Sequence, residues 1–160
     1  MSLTTAQLIT LKAAIAAEVN SVFVALRQAN DETGMADWYN AAGTFVVWKS
    51  NVTVTQVGDS IVGTELAGLT SLNITRLQTI VLLSPAGVNP ALADRRAFFD
   101  DVFSGAGGVL TRAKLLTLWK RFAKRGERVF ATGTGTDAVP GLLTFEGNLT
   151  AQDISDALRA

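Results

Sequence analysis

The sequence has no cysteine and no histidine, only three prolines and a single tyrosine. Without cysteine there is no disulfide scaffold, no thiol nucleophile, no Cys-ligated zinc and no iron–sulfur cluster. Without histidine, the commonest general base and the commonest metal ligand are missing too. Most enzyme mechanisms and metal cofactors are thereby excluded, and the reading is of a non-enzymatic protein with no cofactor. Charge is also sparse: 18% of residues are charged, and fourteen Lys and Arg offset fourteen Asp and Glu. A neutral molecule exerts no long-range pull on nucleic acid or on an anionic membrane. No apolar run approaches the roughly 20 residues a spanning helix needs; Leu77 to Leu83 is closed by Ser84-Pro85. Met1-Ser2-Leu3-Thr4-Thr5 lacks the basic and apolar regions of a secretory signal, so no export is expected. Without secretion, the Asn51, Asn73 and Asn148 sequons carry no glycan.

What the sequence does have is apolar content: 48% of its 160 residues, with a mean hydropathy of +0.28. Disorder is excluded, and a chain of this length buries roughly 70% of its unfolded surface unaided. The apolar excess points to self-association. Thr4 and Gln7 have capping-box spacing, and Leu8, Leu11, Ile15, Val19, Val22 and Leu26 follow at three- and four-residue steps, predicting one long helix. Asn30 to Gly34 breaks it, Ala36 to Ala41 is read as a short helix stopped by Gly43, and Phe45 to Trp48 as a strand.

Thr53 with Gln56 repeats the capping box before a helix, although Val52 to Thr55 also alternates like a strand. Thr70 or Ser71 caps a helix ending at Pro85, and Asn89-Pro90 opens another to about 104 with Leu92, Phe99 and Phe103 on one face. A long helix is predicted from Thr111 to about Phe130, then an irregular Thr132–Thr136, a strand Leu142–Phe145, and a last helix capped by Thr150 and Asp153. No repeat and no linker divides the chain, so the expectation is one domain, 1–160, of α+β class, predominantly α-helical with a few short strands.

The glycine-rich segments Ser104–Gly108 and Gly133–Gly135 lack the strand before them and the Lys-Ser/Thr ending of a phosphate cradle, and are read as loops. Asp100 and Asp101 point about 100° apart on a helix, so an intrahelical pair between Arg96 and Asp100 is expected instead of an ion site. The informative segment is 111–128, with seven basic residues against Glu127. On the predicted helix, Leu115, Leu118, Trp119, Phe122 and Val129 form an apolar face, read as core or as a subunit interface. Lys114, Arg121, Lys124, Arg125 and Arg128 form a basic stripe, read either as a solvated face or as the contact for an anionic partner, DNA or an acidic protein surface.

Several strings together sample most of the chain: Ala36-Asp-Trp-Tyr-Asn-Ala-Ala-Gly43, Phe45-Val-Val-Trp-Lys49, the run Asn89–Asp101, Thr111–Arg121, Ala131-Thr-Gly-Thr-Gly-Thr136 and Phe145-Glu-Gly-Asn-Leu-Thr150. In these the chain resembles a family of tailed-bacteriophage virion proteins found among head and connector components. The resemblance implies a non-enzymatic structural subunit of the virion, assembled in the host bacterial cytoplasm. It implies a head–tail connector, an adaptor that forms a cyclic homo-oligomer between portal and tail proteins. Packaged DNA is a further candidate partner, through the basic helix, and a membrane is not. Other positions in the virion (decoration, stopper or tail terminator) and a small DNA-binding module are the alternatives.

Overall fold

The computed structural model describes residues 3–160; Met1 and Ser2, which open the segment read for an export signal, lie outside the described residues. In chain order the elements are α1 (Thr5–Ala17), α2 (Ser21–Gln28), α3 (Glu32–Asn40), β1 (Ala42–Trp48), α4 (Val54–Ser60), α5 (Gly63–Ala67), α6 (Ser71–Leu82) and α7 (Ala93–Val102). They continue with α8 (Val109–Leu118), β2 (Lys120–Lys124), α9 (Arg125–Val129), β3 (Ala131–Thr132), β4 (Leu142–Leu143) and α10 (Ala151–Arg159). Helices make up 58% of the chain and strands 12%, which makes the fold a mostly helical α+β. The chain folds as two compact units, one joining the segment ending at Val47 to Phe122–Ala160, the other the continuous segment Trp48–Arg121.

In the first unit, Leu11 and Ile15 of α1 pack with Phe23 of α2, Met35 and Tyr39 of α3, and Ile154 and Ala157 of α10. The Thr4–Gln7 box starts α1, with Gln7 N–H donating to Thr4 Oγ1 at 3.3 Å and Thr4 N–H to Gln7 Oε1 at 2.9 Å. The long N-terminal helix predicted from periodicity is broken, however. Glu18 Oε1 accepts from the N–H groups of Val19 and Asn20, and Asn20 Oδ1 accepts from Val22 N–H as a new N-cap. Backbone donors left without helical partners are thereby satisfied at the break. The axes of α1 and α2 differ by 112°. Val19, expected on the buried stripe, is 87% exposed. Arg27 reaches back from α2 to the carbonyls of Ile15 and Ala16 at 2.7 and 3.0 Å, closing the elbow.

Asp31, whose Oδ1 accepts from Gly34 N–H, starts α3 earlier than the expected Ala36. Gly43 is no helix stop but a residue of β1, since Ala41 has already turned to extended backbone. The pairing of β3 with β4 is antiparallel, Ala131 opposite Leu143. Gly135, at φ 64°, leaves room for the ring of Phe45, against which any Cβ there would collide. Thr150 and Asp153 cap α10 as their spacing predicts.

In the second unit, Val57, Leu77, Ile80, Phe99, Val102, Phe103, Leu115 and Trp119 form the core. The Thr53–Gln56 box and the Thr70 cap both form. Residues 89–92 make a turn, with Asn89 Oδ1 accepting from Ala91 N–H, so the next helix starts at Ala93 rather than Pro90 and Leu92 stays exposed. The start of α8 has no side-chain cap of its own. Glu65 of α5 supplies one, accepting from Leu110 N–H at 3.0 Å and Thr111 N–H at 2.7 Å. Burial raises the Glu65 carboxyl, but these bonds, the Thr111 hydroxyl and Arg112 more than offset that and hold it below its ordinary value. No single helix among the described residues is long and apolar enough to cross a membrane.

Candidate functional site

The predicted helix 111–130 does not exist as one element: α8 ends at Leu118, Lys120–Lys124 is strand β2, and α9 covers Arg125–Val129. The strand forms because β1 offers backbone partners that a helix would leave unused. The break dissolves the basic stripe. Lys114 lies exposed on α8, and Arg121 on β2 also belongs to the second unit, while Lys124, Arg125 and Arg128 belong to the first. The apolar face is redistributed likewise: Leu115 and Trp119 are buried, whereas Phe122 is 64% exposed because strand alternation turns it outward and Ala123 inward.

Within the first unit, Lys124 Nζ donates to Asn148 Oδ1 at 2.6 Å. Its N–H donates to Glu127, whose other oxygen accepts from Gly147 N–H; the carboxylate is buried and tethers the 145–149 loop to α9. Arg125 and Arg128 share one cavity of about 430 Å³, walled by Glu18 at the end of α1, Trp38 and Tyr39 of α3, and Gly43 and Thr44 of β1. The Arg125 guanidinium lies 4.3 Å over the Trp38 ring, and its Nη1 donates to the Trp38 carbonyl at 3.4 Å. Gly43 permits this approach of backbones: a Cβ there would meet the Ala123 carbonyl at 3.0 Å. Arg128 sits 5.8 Å from the Phe45 ring and makes no ion pair among the described residues. The Tyr39 hydroxyl is buried without a hydrogen-bond partner. Burial, with Glu18 adding and Arg27 opposing, raises it well above the usual phenol range, so it remains a proton donor.

The second unit holds a smaller cavity, about 300 Å³, walled by Trp48, Arg96, Asp100, Arg112 and Trp119. Arg96 does not pair with Asp100 as its spacing suggested. It stacks 4.0 Å over Trp48 and donates to the Pro90 and Ala91 carbonyls, and burial, opposed by Asp100, lowers its pKa. Asp101 pairs across to Arg76 at 2.6 Å. A third cavity, about 580 Å³ between α4, α5 and α6, is apolar and walled by Val54, Val57, Ile61, Leu66, Leu77 and Val81.

Of the five residues singled out in the sequence, then, the fold brings Arg125 and Arg128 to one cavity and ties Lys124 into a structural bond, while Lys114 and Arg121 belong to the other unit. Sequence reasoning missed Glu18, Trp38 and Tyr39. The Asn20-Ser21 cap signal would have ended α1 beside Glu18. Among the described residues no group of three His, Cys, Asp or Glu side chains is placed to hold a metal ion. No protein-family model matches the chain, and no curated protein or solved structure matches it.

Proposed function

We propose that this protein is a non-enzymatic structural subunit of a tailed-bacteriophage virion, a head–tail connector working as a ring of identical copies between portal and tail proteins. The observation that carries the reading is the amount of large apolar side chain left in water in both units. Val19 is 87% exposed, Leu82 79% and Leu83 72%, and the second unit also has an open apolar groove between α4, α5 and α6. The adjacent Leu82 and Leu83 and the open apolar groove support a contact made in an assembly. The resemblance of the strings quoted above supplies the kind of assembly. A DNA-binding module is less well supported, because the single basic helix it would use is divided into helix, strand and helix.

Locating the protein in purified particles, by imaging and by cross-linking to the portal, tests the proposal. The expected result is a defined ring at the head–tail junction, lost in Leu82→Glu and Leu83→Glu variants that still fold. Absence from particles would end the reading.

A further inference from the structure

The cavity shared by Arg125 and Arg128 has a chemistry that assembly does not explain. Two arginines of α9 reach its wall, beside the aromatic side chains of Trp38 and Tyr39 from α3. Arg125 is fixed by the Trp38 ring beneath it and by one bond to the Trp38 carbonyl, which leaves most of its fork of N–H donors for a planar acceptor.

The charges of the site fix how much negative charge it takes. Arg125 and Arg128 face one acid, Glu18, one of whose oxygens already caps the break after α1. Two cations and one anion complement a single negative charge. The surrounding unit is itself acidic, with six Lys and Arg against nine Asp and Glu, whereas the other unit has eight against five. That excess of carboxylates repels a polyanion more strongly than it repels a single carboxylate. The volume, about 430 Å³, exceeds what a bare carboxylate fills, and the Trp38 and Tyr39 rings provide an apolar wall for a short carbon chain.

We propose that this cavity is a recognition site for a carboxylate carried on a short apolar stem, gripped by Arg125 and Arg128 with the stem against the Trp38 ring. An acidic side chain of a partner protein and a free carboxylic acid present the same chemistry. The proposal is independent of the virion reading, since it concerns one unit of the isolated chain.

The test uses full-length protein labelled with 5-fluorotryptophan, whose three tryptophans give three ¹⁹F resonances. Trp38 reports the site, and Trp48 and Trp119 of the other unit are internal controls. Sodium acetate and N-acetylglutamate N-methylamide are titrated against sodium chloride at equal ionic strength. A saturable shift of Trp38 alone is expected. Tighter binding of the glutamate derivative identifies a protein side chain as the source, and equal or weaker binding a free acid.

Arg128→Ala should weaken binding about tenfold, and Thr44→Phe, at the exposed rim, should abolish it. The proposal is overturned if neither carboxylate shifts Trp38 beyond the chloride control, or if the shift survives Thr44→Phe. It is equally overturned if a short DNA duplex binds at Trp38 more tightly than either carboxylate, which would make the site a phosphodiester contact.

Discussion

Each unit builds a cavity from the same parts: a tryptophan under an arginine, a second arginine, one carboxylate, and a buried aromatic donor that lacks a partner. In the second unit both arginines are tied to backbone. Arg96 donates to the carbonyls of Pro90 and Ala91, Arg112 to those of Phe103 and Gly105, so each holds a turn at one end of α7. In the first unit Arg125 has one such bond and Arg128 none among the described residues. The difference shows that residue inventory does not define a site. An arginine whose N–H groups are satisfied by carbonyls is a structural clamp, and the same side chain over the same kind of ring has donors to offer a ligand when they are open.

The comparison can be broken experimentally. Core truncations set the upper scale: Phe99→Ala should cost about 3–5 kcal/mol and Ile15→Ala about 2–5 kcal/mol, since both side chains are fully buried. Urea denaturation gives the totals, and hydrogen exchange should show protection lost mainly in the unit that carries each change. Next comes Arg112→Ala, expected to cost about 1–3 kcal/mol because the carbonyls of Phe103 and Gly105 lose a charged donor. If it proves silent in the same denaturation experiment, the clamp description of the second unit fails.

A smaller effect, dependent on pH, belongs to Glu65. Its carboxyl is held below the ordinary 4.5, so its contribution is present above that value and is lost as pH falls through the lower folded-state value. Thermal melts between pH 7 and pH 3 should show wild-type stability falling toward that of Glu65→Gln on the acid side, with little change between pH 6 and 7. The smallest effect is expected from Arg128→Ala, within about 0.5 kcal/mol of wild type by the same urea assay. A loss as large as that of Arg112→Ala would mean that the two cavities are alike after all.

Local chemistry was legible in the residues. The pairs Thr4 with Gln7, Thr53 with Gln56 and Thr150 with Asp153 each cap a helix, because a capping box needs only neighbours in sequence. Lys120-Arg-Phe-Ala-Lys124 was not legible: its residues are mostly good helix formers, and it becomes a strand through pairing with β1, a partner more than 70 positions earlier in the chain. Every error about the basic stripe follows from that one substitution of tertiary pairing for local preference. The α1 elbow was hidden differently, since Val19 and Val22 kept the apolar spacing while Glu18 and Asn20 carried the stop signal. The site inherits both errors, as Glu18 comes from the elbow and Arg125 follows directly on the strand.

The interrupted sequence of the first unit also sets an order of synthesis. Residues 48–121 are continuous, so every residue of the second core has been made when Arg121 is added. The first unit has by then only its opening segment; Phe130, Leu149, Ile154 and Ala157 of its core are still to come. At about 5–20 residues per second the ribosome needs roughly 2–8 s for that remainder. Throughout this interval Leu11, Ile15 and Phe23 emerge without the helix that will cover them, and the nascent chain is most open to capture by chaperones.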